Sequence, residues 1–118
     1  KNDKMLNNKN VVKVITDKKL VENNFPTALN FTRDNLSNNY QNIYHHIGIY
    51  SYKISALEKF VSLDQTSNEK INRLEQLRAL DNKLKINVAL AKSSPIGVDT
   101  EEDYLAIKKI MEYKISNE

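Results

Sequence analysis

The sequence predicts an α/β fold, and three observations carry that reading. Short β-branched runs alternate with helical stretches along the chain. Two of the helical stretches open on a Ser/Thr-x-x-Glu box. The resulting order is strand, strand, strand, helix, helix, strand, helix, which is a layered arrangement. The 118 residues are one domain's length. A 40% hydrophobic and 28% charged composition is the balance of a soluble globular chain.

The elements follow in order. Residues 1–9 are polar and are expected to fray. Val11-Val12-Lys13-Val14-Ile15, closed by Thr16-Asp17, reads as a strand over 11–16. Beyond Pro26, Ala28-Leu29-Asn30-Phe31-Thr32 gives a second strand, 28–33. Asp34 to Gln41 is rich in Asn and Ser and reads as a loop. Ile43 to Ile54 is β-branched and aromatic, a third strand over 43–54. Its period of two puts Ile43, His45, Ile47 and Ile49 on one face, toward a core. Tyr44, His46, Gly48, Tyr50 and Tyr52 share the other.

Ser55-Ala56-Leu57-Glu58 opens a helix over 55–62, and Thr66-Ser67-Asn68-Glu69 opens one over 67–82. The second carries Ile71, Leu74, Leu77, Leu80 and Leu84 as an apolar stripe of helical period. Lys85 to Ala91 returns to period two, with Ile86, Val88 and Leu90 on one face, a strand over 85–91. Ser93-Ser94-Pro95-Ile96-Gly97 is a loop. Thr100-Glu101-Glu102-Asp103 opens a last helix over 100–113, its hydroxyl and carboxylates suited to the positive end of the helix dipole.

Composition removes several classes of function. With no Cys there is no disulfide framework, Cys-ligated zinc or thiol nucleophile, and a reducing compartment suits the chain. No apolar run approaches the roughly 20 residues that span a bilayer, and Lys1 to Asn10 has no signal-peptide core. The net charge of +3 is concentrated at the start: the first twenty residues hold six Lys against two Asp, and the rest is nearly balanced. Only Arg33, Arg73 and Arg78 are arginines, and no basic stripe interleaves with aromatics, so nucleic acid is not an expected partner. There is no Gly-rich phosphate loop and no His-Glu-x-x-His spacing.

Three places could carry chemistry. His46 and Tyr50 share a strand face about 13–14 Å apart. That suits the two ends of a polar pocket floor, or a polar face packed under a helix. His45 points to the opposite face, so the His pair is not a two-His metal site. Glu75, Gln76 and Arg78 are either a ligand-facing cluster or a solvated face with a Glu75–Arg78 pair at i, i+3. Asp99, in Gly97-Val98-Asp99-Thr100, is either a functional carboxylate or a helix-terminus charge.

A resemblance decides among these. His46-Ile47-Gly48-Ile49-Tyr50-Ser51-Tyr52, Leu74-Glu75-Gln76-Leu77-Arg78, Ile86-Asn87-Val88-Ala89 and Gly97-Val98-Asp99-Thr100-Glu101-Glu102-Asp103 run in this order. Asn10-Val11-Val12-Lys13-Val14 and Phe31-Thr32-Arg33 precede them. Together they resemble the C-terminal half of the 3-deoxy-manno-octulosonate (Kdo) cytidylyltransferases, over about residues 8 to 113.

The resemblance implies the C-terminal half of a Rossmann-like nucleotidyltransferase fold, residues 10–118 forming the sugar-binding part. It implies an enzyme that joins Kdo to CTP with Mg²⁺, giving CMP-Kdo and pyrophosphate for lipopolysaccharide assembly in the cytoplasm, as a homodimer. Arg33, His46, Tyr50, Glu75 and Gln76 would contact the sugar, and Asp99 would be a metal ligand. The chain lacks the family's N-terminal half, which holds the loop for the CTP phosphates and another metal aspartate. It is therefore expected to be inactive alone. Two alternatives accompany this reading. One is a non-catalytic remnant or split-chain partner. The other is a sister cytidylyltransferase for another acidic sugar. After Arg33 the chain departs from the family pattern with Asp34-Asn35-Leu36-Ser37 and a short stretch to His46. That departure bears on the sugar accepted, an 8-amino analogue being one possibility.

Overall fold

The computed structural model describes residues 3–36, 40–93 and 97–117. Its centre is a three-stranded sheet. β1 (Lys13–Thr16) lies between β2 (Ala28–Thr32) and β3 (Ile43–His45), antiparallel to both. The register sets Val14 between Phe31 and Tyr44, and Lys13 between Thr32 and His45. Residues opposite one another in such ladders share a face, so this register divides the sheet. Val14 and Phe31 face one way with Tyr44. Ile15 and Ile43 face the other.

Each face is covered. On the first, Val14, Ala28, Phe31, Leu74 and Leu77 are buried together, flanked by Val12, Tyr44, Leu80, Ile86 and Val88. A bulge between Ile15 and Thr16 brings Ala28 onto this face three residues from Phe31 and turns Leu29 out to solvent. On the second face Leu6 packs with Ile15 and Ile43. Leu6 belongs to α1 (Asp3–Leu6), so the expected frayed segment 1–9 instead contains a helical turn that seals the underside of the sheet. Burying a Leu or Ile contributes about 1.5–3 kcal/mol, which is the reason a four-residue turn holds there.

The third strand is much shorter than 43–54. His46 N–H donates the last ladder-like bond, to Val12 O at 2.9 Å. Upstream of Val12 the neighbouring chain turns away through Asn8–Val11 and offers nothing to pair with. Gly48 then takes φ +85, a left-handed conformation that suits glycine and breaks the period of two. The expected greasy face therefore does not exist as a unit: Ile43 is buried, but Ile49 is 82% exposed.

The helices also differ from expectation. α2 (Ile54–Val61) begins at Lys53 with no side-chain cap, so the Ser55–Glu58 box does not form. The Thr66–Glu69 box does form and opens α3 (Ser67–Asn72). The expected helix 67–82 is broken: Arg73 adopts the left-handed conformation, φ 53 and ψ 43, and closes α3. α4 (Gln76–Asp81) starts on a new axis and packs on α3 and β2. The break puts Leu74 and Leu77 into the core and leaves Ile71 outside, 80% exposed. Arg78 pairs with Glu69 across the break through Nε at 2.9 Å and a second guanidinium nitrogen, in place of the expected Glu75–Arg78 pair.

The segment 85–91 does not form a strand of the sheet. It makes one antiparallel bridge, Asn87 to Thr27, with Ala28 N–H donating to Ile86 O (2.8 Å) and Val88 N–H to Pro26 O (2.8 Å). Ile86 and Val88 join the core as their period predicts, whereas Leu90 stays exposed. α5 (Glu101–Ser116) opens on a Thr100–Asp103 capping box and has no buried residue. Of the two predicted loops, residues 37–39 and 94–96 lie outside the described residues.

Candidate functional site

The topology gathers side chains at one end of the sheet. The start of β1 adjoins the last residues of both β2 and β3. One step past the ladder, Arg33 and His46 both lie level with Val12, on either side of it. Alternation puts them on the face shared by Val14, Phe31 and Tyr44. The buried Phe31 ring supports the imidazole of His46 edge-on, at 5.1 Å between centroids and 74° between planes.

Because the chain leaves the ladder after His45, His46 and Tyr50 are not held at strand spacing. They touch: the Tyr50 hydroxyl and His46 Nε2 are hydrogen bonded at 2.8 Å, the donor being set by the imidazole tautomer. The turn at Gly48 folds the expected 13–14 Å separation into this contact. The rings continue from Tyr50 to Tyr52 (6.1 Å) and from Tyr52 to Phe60 (6.2 Å), and the Arg78 guanidinium carbon sits 4.9 Å from the Phe60 centroid. These separations are those of interacting aromatic pairs and of a cation over a ring. A line of contacts thus runs from β2 to the Glu69–Arg78 pair.

Electrostatics follows from partial burial. Desolvation, with a smaller effect from the neighbouring His45, lowers the His46 pKa below its ordinary value. Burial raises the Tyr50 phenol well above its usual range, with Tyr52 and Glu75 adding to the rise. The pair is therefore a neutral imidazole and a neutral phenol at pH 7. Glu75 is exposed and immediately precedes α4, close enough to Tyr50 for its charge to be felt there. Gln76, half-buried, is the first residue of α4, whose placement is fixed by Leu74 and Leu77 on either side.

One cationic guanidinium, one carboxyl group and a neutral imidazole–phenol pair thus lie toward one end of the fold, with the Gln76 carboxamide next to Glu75 in the chain. These groups donate and accept hydrogen bonds and hold an anion, and none of them is an activated nucleophile. The set suits binding and orienting a polar, acidic molecule. A concavity of about 600 Å³ lined by Met5, Lys19, Gln41, Asn42, Ile43, Tyr44 and His45 includes none of the six candidate residues.

Asp99 is not brought into this set. It is exposed in the segment before α5, and its backbone N–H donates to Asp103 Oδ2 at 3.2 Å. Among the described residues no three His, Asp or Glu side chains converge as a metal site, and no helix is long and apolar enough to cross a membrane. Sequence reading missed Phe31 as the support of His46 and Tyr52 as a member of the ring line. The pattern offered one signal for the first: Phe31 stands two residues before Arg33, and so on its face.

Comparison with known proteins gives the chain a family. Residues 1–86 match the family described as Cytidylyltransferase. The chain is 42% identical over 109 residues to 3-deoxy-manno-octulosonate cytidylyltransferase of Bartonella bacilliformis, covering 92% of this chain and 44% of that protein. It is 43% identical over 102 residues to the enzyme of the same name from Rickettsia rickettsii, covering 86% and 41%. A solved structure of CMP:2-keto-3-deoxy-manno-octonic acid synthetase complexed with CTP shares the fold, with a TM-score of 0.77 at 24% identity over 97% of this chain and 46% of that one. The chain thus spans less than half the length of the curated relatives it matches. The family match over well more than half of the chain, with relatives of that name above 40% identity, shows that this chain belongs to the cytidylyltransferase family.

Proposed function

We propose that this segment is the sugar-binding part of an enzyme that activates Kdo with CTP, giving CMP-Kdo and pyrophosphate for lipopolysaccharide biosynthesis. The observation that carries the proposal is the hydrogen-bonded His46–Tyr50 pair, within reach of the Glu75 charge and on the same sheet face as Arg33 across Val12, in a chain whose relatives bear that enzyme's name. Arg33 would pair with the sugar carboxylate, for which a planar guanidinium fork is suited. His46 and Tyr50 would bond ring hydroxyls as neutral groups, and Glu75 and Gln76 would hold hydroxyls from the α4 side. The anomeric hydroxyl, oriented this way, attacks the α-phosphate of CTP and displaces pyrophosphate. Positioning supplies much of the rate, since holding two reactants together replaces a bimolecular encounter.

Asp99 fits one ligand of a Mg²⁺ ion, because Mg²⁺ is usually held by one or two carboxylates together with substrate phosphates and water. When bound, such an ion neutralises charge on the transferring phosphoryl group. A cytoplasmic homodimer is the proposed setting, with no nucleic-acid or membrane partner.

Because the chain spans less than half of its relatives' length, a second reading is kept: a partner that completes an active site in trans, or a non-catalytic remnant. Purified chain is incubated with CTP, Mg²⁺ and Kdo, alone and together with an N-terminal cytidylyltransferase half. CMP-Kdo formed only in the mixture supports the proposal. No product in either arm, with the chain folded, favours the remnant, and product from the chain alone refutes the assignment of these residues to sugar binding only.

A further inference from the structure

Lys13 is a charged residue in the central strand with no exposed surface at all. It shares a face with Thr32 and His45, the opposite face from Arg33 and His46. Its Nζ reaches three backbone carbonyls: Asn8 O at 2.7 Å, Arg33 O at 2.9 Å and Asp34 O at 3.3 Å. An ammonium has three N–H donors and no acceptor, so the three carbonyls use all of them. Two of the three belong to the turn that follows β2. The same turn is tied a second time, by Asp34 N–H donating to Thr32 Oγ1 at 3.1 Å. A buried ammonium is costly unless its bonds are complete, and its position is correspondingly well defined. Desolvation pulls its pKa down while the nearby Asp34 carboxylate acts the other way.

We infer that Lys13 is a positioning residue for the acid-binding end of the site: by gripping the Arg33 and Asp34 carbonyls from beneath the sheet, it fixes the backbone that carries Arg33 on the His46 face, across Val12 from His46. The inference rests on the proposal that Arg33 receives the sugar carboxylate, and deepens it. An apolar side chain of similar length would fill the space and leave three carbonyls unbonded, and the turn would then relax.

The test uses the complete enzyme, this segment together with an N-terminal cytidylyltransferase half, and compares Lys13→Met, Arg33→Ala and the double variant. Lys13→Met is expected to raise KM for Kdo about tenfold or more with KM for CTP unchanged, and to add little to Arg33→Ala. A merely structural role would lower the active fraction, and hence kcat, with neither KM moved; that result overturns the inference. Equal, independent effects of the two substitutions on the Kdo KM also overturn it, since Lys13 would not then act through Arg33. If Arg33→Ala leaves the Kdo KM unchanged, the reading of Arg33 fails and the inference falls with it. Should Lys13→Met not fold, Lys13→Arg takes its place. It keeps the charge but presents a planar fork that does not meet three converging carbonyls, and the same pattern of KM values is expected.

Discussion

Leu77 and Ile71 separate two descriptions of the same apolar stripe. In one continuous helix both would belong to the broad apolar stripe turned toward the core. In the structure the left-handed Arg73 stands between them, with Leu77 2% and Ile71 80% exposed. Leu77→Ala removes three buried carbons from a cluster with Val14, Ala28, Phe31 and Leu74. Such a change costs about 2–5 kcal/mol in transfer and cavity terms. Ile71→Ala removes atoms already in water and stays within about 0.5 kcal/mol. With an m-value of roughly 1.5 kcal/mol per M of urea, a loss of about 3 kcal/mol lowers the midpoint by about 2 M. The exposed change moves it by roughly 0.3 M or less. The assay is urea unfolding of the 118-residue chain followed by circular dichroism at low micromolar concentration. Equal midpoint losses for the two variants would refute the broken helix, and with it the placement of Glu75 and Gln76 at the start of α4.

Three further outcomes are expected. Tyr50→Phe removes the 2.8 Å bond to His46 at a cost of about 0.5–1.5 kcal/mol, read as a several-fold rise in the Kdo KM of the complete enzyme with the CTP KM unchanged. His46 titrates below its ordinary 6.5; a histidine pKa depressed by folding means that the unfolded chain binds the proton first, so stability is complete above about pH 6.5 and declines as pH falls toward the folded value, which NMR titration of the ring and urea midpoints at several pH values check together. Asp99→Asn abolishes Mg²⁺-dependent turnover in the complete enzyme while Glu102→Gln does not; equal, mild effects of both return Asp99 to a helix-terminus charge worth about 0.3–1 kcal/mol.

The sheet was legible in the sequence because β-branched runs around Val14 and Phe31 need no distant information to read as strands. The end of β3 was not, because a strand lasts only as long as its neighbour does, and the turn at Asn8–Val11 that removes the neighbour lies over thirty residues away in sequence. Parity put His46 and Tyr50 on one face about 13–14 Å apart, and the turn at Gly48 instead brings them into contact. Arg73 carries no local sign of a left-handed conformation, so the broken helix could not be read from its leucines. The Thr66 box formed as its spacing predicts. Ser55 has the same spacing, yet α2 begins at Lys53 without it. Of the candidate residues, Arg33 and His46 flank Val12, and Tyr50 joins His46 and Glu75. Asp99 stays apart because α5, which follows it, buries nothing.

The line of rings from Phe31 to Phe60 has an optical consequence. The chain contains no Trp, so its six tyrosines dominate its near-ultraviolet emission. Two of them, Tyr50 and Tyr52, stand in ring contact on the candidate binding face, one with its hydroxyl bound to an imidazole. A colourless ligand that takes over that hydroxyl changes the quenching of Tyr50 directly and of Tyr52 through it. The site therefore carries its own label, and occupancy can be followed by intrinsic fluorescence without a coupled reaction or an added chromophore.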